Sequence, residues 1–233
     1  MRLGFTATQM NRLEELQEQR DQLPNVERYN RLSLAGTLQW AVERNLEELE
    51  NREKKITAAP NAANAQAQLL EFGRLLLNYL SASIALVDHC FSYMNHHAEE
   101  DLKRDLDADI RAAADDPLSR FVKDLRHVCL HCFFPMLTIV RERGADRVVF
   151  RRSELLDEYD NWSSGAREYL EGGGDYLEVL PTLRCHRDLV MVFRRRLWHA
   201  VHRAHKADFE AIEATQDEMR EIYFSVSAET EKP

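Results

Sequence analysis

Glycine and proline are scarce in this chain, and that scarcity constrains its fold more than any other feature. The 233 residues include only 8 Gly and 6 Pro. A sheet-rich fold needs many tight turns, and tight turns depend on these two residues. Leu, Ala, Glu and Arg are abundant instead, and all four favour helices. The sequence therefore predicts an all-α fold in the form of a helical bundle.

Apolar residues recur at helical spacing along most of the chain. The helices expected from this spacing cover residues 9–22, 26–57, 65–95, 98–114, 117–133, 135–143, 153–171 and 175–223. Asp116 and Pro117 mark one helix start, because an acidic cap followed by Pro suits a first turn. Pro135 should interrupt the helix that they open. Residues 147–150 form the best strand candidate, but they are short and alone, so we expect an extended connector.

Composition suggests three segments. Residues 1–60 are expected to form an N-terminal helical extension, 61–224 the main bundle and 225–233 a flexible tail. The linker between the first two is expected at 57–64, where Pro60 is surrounded by small residues.

Charge and apolar content bear on location and partners. No apolar run resembles a signal peptide or approaches the ~18 residues of a membrane span. We therefore expect a cytoplasmic protein whose four Cys are free thiols. The net charge of -9 argues against a general nucleic-acid coat protein, yet residues 184–206 carry seven Arg or Lys against one acid. This run is either a solvated helix face or a local polyanion site, since screening limits the reach of distant acids to about 10 Å.

One predicted helix, over 117–133, carries the residues of most chemical interest. Its apolar side should contain Phe121, Leu125, Val128, Cys132 and Met136. Its polar side should contain Lys123, Arg126, His127 and His131. Leu130 also falls on the polar side, as does Phe134 if the helix continues. Large apolar residues there suggest that a partner covers this face, and a symmetric dimer would bring two Arg and two His into one cleft.

Such a cleft suits phosphodiester cleavage. A His with a reference pKa of ~6.5 serves as base or acid near neutral pH, so two copies can divide these roles. Arg offers a fixed fork of N–H donors for the phosphoryl oxygens. The nucleophile would be the 2′-OH of RNA, so neither a metal nor a cofactor is expected. The spacing Arg-x4-His occurs twice, at Arg126–His131 and Arg194–His199, so context has to separate the two pairs.

The stretch Asp124-Leu125-Arg126-His127, with His131 after three further residues, resembles the ribonuclease signature of the HEPN family. Phe121, Pro135 and the upstream segments 78–81 and 87–89 are also similar to bacterial HEPN-like proteins, and the resemblance covers roughly residues 65–205. His127 stands where the family usually has Asn or Asp. Arg194 is followed by Arg195 and lacks this context, so we interpret it as charge.

The resemblance implies a helical bundle that forms a homodimer and cuts RNA, as a toxin or phage-defence effector. An antitoxin or a nucleotidyltransferase is the implied partner, and no membrane is involved. Arg126 and His131 would carry catalysis, with support from His127. The residues expected to bind the RNA substrate are Lys123, Arg194, Arg195 and Arg196. The alternative is a catalytically silent HEPN-like module that binds RNA, a nucleotide or another protein, the last through the helix over 26–57.

Two groups of residues raise the question of a metal. Cys129 and Cys132 form a Cys-x2-Cys pair that Cys90, Cys185 or a neighbouring His could complete as a zinc site. Both fall on the apolar side of the predicted helix, however, where Cys behaves as a small hydrophobe. The other group is the pair of His at 96–97 beside the acids at 99–100, which we interpret as a solvated helix end. No metal site is therefore expected.

Overall fold

The computed structural model describes residues 5–58, 62–142 and 145–230, and in them the fold is predominantly all-α, as predicted. The helices are α1 (Ala7–Asp21), α2 (Val26–Thr57), α3 (Ala62–His97), α4 (Glu100–Asp115), α5 (Pro117–His131), α6 (Arg152–Glu158), α7 (Ser164–Glu171), α8 (Val179–Ala204) and α9 (Lys206–Thr230). The strands are β1 (Thr138–Glu142), β2 (Ala145–Arg151) and β3 (Tyr176–Glu178).

The chain divides into two compact units. One contains the described parts of residues 1–33 and 198–233, and the other contains those of 34–197. The segment boundaries predicted from the sequence lie at residues 60 and 224 instead. That three-segment division stays a prediction. The expected linker falls partly on residues 59–61, which lie outside the described part of the chain.

The first unit is built on α1 and α9, which pack together. α1 begins with a capping box, in which Thr6 and Gln9 bond each other's backbone N–H groups. Its apolar side buries Leu13 and Leu16. Nearby, the edge of the Tyr29 ring meets the face of Phe209, with centroids 5.2 Å apart. Apolar burial and an aromatic contact therefore hold this unit.

The second unit is centred on α3, which buries large side chains along its length. Phe72, Leu76, Tyr79 and Leu80 are completely buried. By length and composition alone, Ala63–His97 would suffice to cross a membrane, yet half of its most apolar window is buried within the protein. A core helix of a globular protein has the same character. Helix α5 packs against α3 and also contacts α4 and α7.

Helix ends follow the local sequence signals. The Asp116 carboxylate accepts the Leu118 N–H at 2.9 Å, and Pro117 occupies the first turn, as predicted. The break at residues 22–25 is also confirmed, and Asn25 there has a positive φ of 61°. Asn tolerates this left-handed conformation better than most residues. Gly172 ends α7, as expected.

The prediction was wrong for residues 135–151. In place of a helix over 135–143 the chain forms β1, and residues 147–150 belong to a true strand, β2. Among the described residues the sheet has the order β1-β2-β3, and both pairings are antiparallel. The β-branched residues at 138–140 explain the outcome, because such side chains favour pleated strands. Val148, Val149 and Phe150 are buried, so tertiary packing supplies the neighbours that a lone strand would lack.

Two long predicted helices are each divided. The helix expected over 153–171 splits into α6 and α7, because Trp162 turns inward and its indole N–H donates to the Leu155 carbonyl at 2.9 Å. The helix expected over 175–223 begins only at Val179, since residues 176–178 pair with β2. The same predicted helix is divided at His205, between α8 and α9, and no Gly or Pro in the sequence marks that position. α9 then continues to Thr230, past the expected start of the tail.

Candidate functional site

Helix α5 presents one buried side and one exposed side. Leu118, Phe121, Val122, Leu125 and Val128 are buried, which confirms the predicted apolar side up to residue 128. Cys132 and Met136 are exposed instead, so their assignment to that side was wrong. The helix ends at His131, and residues beyond its end no longer follow the helical period. His127, Leu130 and His131 all lie on the exposed side.

Aromatic packing fixes the position of this helix. The Phe121 ring stacks on Tyr169, with centroids 5.2 Å apart, and also contacts Trp162 at 5.8 Å. The Asp124 carboxylate accepts the backbone N–H of Ser163 at 2.8 Å, just where α7 begins. Asp124 therefore holds α7 against α5. This residue of the HEPN-like stretch thus has a structural role. Together these contacts hold the exposed side of α5 on a rigid support.

Arg126 occupies an unusual position on this helix. Its Nε is buried, and among the described residues it has no hydrogen-bond partner. The Nε atoms of Arg20, Arg152 and Arg194 share this property, but each of those side chains makes other polar interactions. Arg126 alone among the four has no hydrogen bond or ion pair within the described part of the chain. A buried Nε–H without an acceptor carries a desolvation cost that an anion would relieve.

His127 and His131 lie together one turn apart. Their ring centroids are 5.0 Å apart, and both side chains are exposed. The Tyr159 ring lies on the other side of His127, with centroids 6.5 Å apart. Burial raises the pKa of Tyr159, and Cys132 and Asp124 add to the effect, so its hydroxyl stays protonated as a donor. Sequence analysis missed Tyr159, because nothing in its spacing links it to a helix that ends 28 residues earlier.

The four residues expected to bind RNA lie in different surroundings. Lys123 lines a cavity bounded by α3, α4, α5 and α8. Arg194 is half-buried beside Gly36, and burial lowers its pKa. Arg195 and Arg196 are exposed, and Arg196 lines a separate groove with Asp116. The structure therefore brings His127 and His131 into contact, but gives the four basic residues no common site.

Two of the cysteines, Cys90 and Cys129, have the character of packing residues, whereas Cys132 and Cys185 are exposed. Burial raises the pKa of both Cys90 and Cys129 to about 12, so both remain neutral thiols at physiological pH. Metal coordination requires the thiolate. Within residues 5–58, 62–142 and 145–230, no three or more His, Cys, Asp or Glu side chains are grouped so that they could hold a metal ion.

Comparison with known proteins found no matching family model, no matching curated protein and no matching solved structure. A functional assignment for this chain therefore depends on the chemistry of its own residues. Helix α5 is the strongest starting point, because it combines two adjacent exposed histidines with Arg126, whose buried Nε has no partner among the described residues.

Proposed function

We propose that this chain is a metal-independent endoribonuclease of HEPN type, acting as a cytoplasmic homodimer in a toxin or phage-defence system. Arg126 and His131 act on the scissile phosphate, and His127 supports them. The observation that carries the proposal is the buried Nε of Arg126, which has no partner in the described part of the chain, on the same helix as the His127–His131 pair. Phosphoryl oxygens are the acceptors that a guanidinium fork fits best.

The proposed reaction is attack by the ribose 2′-OH on the adjacent phosphorus. His131 of one copy removes the 2′-OH proton, and His131 of the second copy protonates the leaving 5′-oxygen. The products are a 2′,3′-cyclic phosphate and a 5′-OH. Arg126 donates to the non-bridging oxygens as their charge increases in the transition state. His127, whose ring lies 5.0 Å from that of His131, orients the catalytic imidazole.

The experiment that tests this function uses a matched pair of RNA substrates. Cleavage of a mixed RNA pool is first mapped, and the preferred site is then synthesised with either ribose or 2′-deoxyribose at the cut position. The 2′-deoxy substrate should remain uncut, and the ribose substrate should yield a 2′,3′-cyclic phosphate. Both results should be unchanged by EDTA. Equal cleavage of both substrates would contradict the proposed mechanism, as would activity that EDTA removes and zinc restores.

The dimer is proposed on the basis of apolar residues that continue past the end of α5. Leu130 is 40% exposed, Phe134 43% and Met136 63%. Exposed apolar patches of this kind mark contact surfaces in soluble proteins. A two-fold axis beside this patch would bring two copies of His131 to one cleft.

Leu130→Glu should convert the dimer to a monomer without unfolding it, because a carboxylate at the axis is desolvated beside its own copy. Light scattering at several concentrations measures the mass, and circular dichroism checks the helix content. Leu34→Glu is the matched control, since Leu34 is also half exposed but lies on α2. A wild-type monomer at high concentration would be incompatible with the proposed site.

Arg195 and Arg196 are the better candidates for RNA backbone contacts, because both are exposed. Replacing both with Gln should weaken RNA binding and reduce the slope of log Kd against log salt by about 1 to 2, since each phosphate contact on a single strand contributes ~0.7. Fluorescence anisotropy from low to high salt measures this slope. Arg194→Gln should change it less because Arg194 is half-buried. An unchanged slope in the double variant would remove these residues from the RNA site.

A catalytically silent interaction module is the second candidate, and one surface favours it. A groove of about 630 Å³ lies between α3 and residues 134–137, with Leu69, Leu70, Phe134 and Met136 in its lining. An antitoxin or a nucleotidyltransferase is the proposed protein partner. If wild type and site variants are equally inert on diverse RNAs, this second function takes precedence.

A further inference from the structure

A mostly enclosed cavity of about 270 Å³ lies among α3, α4, α5 and α8, apart from the exposed histidines of α5. Apolar side chains form most of its wall: Ile84, Val87, Phe91, Ala113, Ala114, Val190 and Phe193. Four polar residues complete it: Asp88, Ser119, Lys123 and His186. A water molecule occupies ~30 Å³, so the cavity is large enough for one small organic molecule.

His186 is the buried polar group of this cavity, with only 1% of its surface exposed. The Tyr79 hydroxyl donates its single proton to the Leu183 carbonyl at 2.8 Å. His186 Nδ1 lies 3.4 Å from the same hydroxyl, and in the tautomer that carries its proton on Nδ1 the other ring nitrogen, Nε2, is an acceptor. Nε2 has no hydrogen-bond partner among the described residues. His186 therefore brings to the cavity wall a ring nitrogen that a ligand can hydrogen-bond.

Asp88 and Lys123 contribute opposite charges to the same cavity. Both side chains are exposed, which places them towards its opening. They form no ion pair with each other or with another residue in the described part of the chain. Both are therefore solvated charges at the opening of the cavity. A ligand with one positive and one negative group, a zwitterion, is complementary to this pair of opposite charges.

We propose that this cavity binds a free α-amino acid with a medium-sized apolar side chain, such as leucine. Its ammonium group donates to the Asp88 carboxylate and to His186 Nε2. Its carboxylate accepts from the Lys123 ammonium, with the Ser119 hydroxyl as a second donor. Its side chain packs against Val87, Val190 and Phe193. This inference is independent of the proposed ribonuclease activity, and it gives Lys123 a ligand other than RNA.

The volume of the cavity restricts the ligand. Drug-sized ligands occupy pockets of ~300–1,000 Å³, so about 270 Å³ suits a smaller molecule. Nucleotides are too large, and their phosphates would meet the Asp88 carboxylate. A purely apolar ligand would displace water from His186 and the two charges without replacing its hydrogen bonds. A zwitterion with an apolar body satisfies each group.

The test is calorimetric titration of the full chain with L-leucine and two analogues that each lack one charge. Leucine should bind one per chain with a Kd below about 1 mM. 4-Methylpentanoate, without the amine, and isoamylamine, without the carboxylate, should each bind at least about tenfold more weakly. No heat with leucine at ~10 mM would overturn the proposal, and so would equal binding of leucine and either analogue.

Two variants assign the contacts. Asp88→Asn and Lys123→Gln should each weaken leucine binding by about tenfold or more, because each removes one charged contact. Both side chains are exposed, so both variants should fold. Asp157→Asn and Lys103→Gln are matched controls on α6 and α4, and they should bind leucine as wild type does. If all four variants bind alike, or if a crystal grown with leucine shows only water in the cavity, the assignment is wrong.

Discussion

His131→Ala is expected to lower the turnover of RNA cleavage by about 10²–10⁴-fold, with little change in RNA affinity. On the proposed mechanism both His131 copies transfer protons only in the transition state, so their loss affects kcat far more than binding. Arg126→Ala should lower turnover by about 10²–10³-fold, as expected for a donor to the developing negative charge. Single-turnover kinetics with saturating enzyme separate these effects from substrate binding.

The controls for this prediction come from the same sequence. His199→Ala should leave turnover nearly unchanged, although it belongs to a second Arg-x4-His spacing. Arg126→Lys keeps the charge but loses the planar fork, so it should recover only part of the activity. Circular dichroism should show wild-type helix content in every variant. The outcome that would falsify the assignment is loss of activity in His199→Ala together with normal activity in His131→Ala.

Acidification should destabilise the protein through His186, by about 3 kcal/mol between pH 6.5 and pH 4. Burial lowers the pKa of His186 to about 4, whereas an exposed His has a pKa of ~6.5. Between these two pKa values His186 is protonated in the unfolded chain and neutral in the folded chain. The free energy of unfolding therefore decreases as the pH falls through this window. Each unit of pKa difference corresponds to ~1.4 kcal/mol. Tyr79, Asp88 and Lys123 are the ionisable groups that share its surroundings.

Urea unfolding of wild type and His186→Asn at a series of pH values measures this contribution. The Asn side chain can replace the Nδ1–H donor but cannot be protonated. Carboxylates titrate in both proteins, so the difference between the two curves isolates His186. The free energy of unfolding of wild type should fall about 3 kcal/mol further than that of the variant. Parallel curves would show that His186 is accessible to protons in the folded state.

Helix positions were predictable because long stretches of this chain follow one period, with few Gly or Pro to interrupt it. α2, α3, α4 and α5 lie where the spacing of apolar residues and the Asp116–Pro117 start signal predicted them. The sheet was predicted wrongly for two reasons. β1 and β2 are consecutive strands that pair with Glu142 opposite Ala145, but residues 135–143 were interpreted as a helix. β3 pairs with β2 from residues 176–178, and pairing over that distance leaves no local signal. A run such as Val148 to Phe150 is compatible with a strand or a connector until its neighbours are known.

The site was predictable only in part. Helical periodicity on α5 correctly placed His127 and His131 on the exposed side, whereas Arg126 is half-buried. It could not show that Arg126 Nε is buried without a partner, or that Tyr159 approaches His127, because both depend on tertiary packing. Periodicity also failed for Cys132 and Met136, since it contains no information on where a helix ends.

Gly73 and Phe134 are 61 positions apart in the sequence, yet their evolution should be coupled. A Cβ at Gly73 would lie 3.1 Å from two carbons of the Phe134 ring, closer than nearly all such contacts in proteins. An Ala at 73 would push the ring by a few tenths of an ångström, and a larger side chain would push it further. Sequences that share this packing should therefore show covariation, with a small residue at 73 wherever 134 is aromatic. A larger residue at 73 should accompany a reduced side chain at 134.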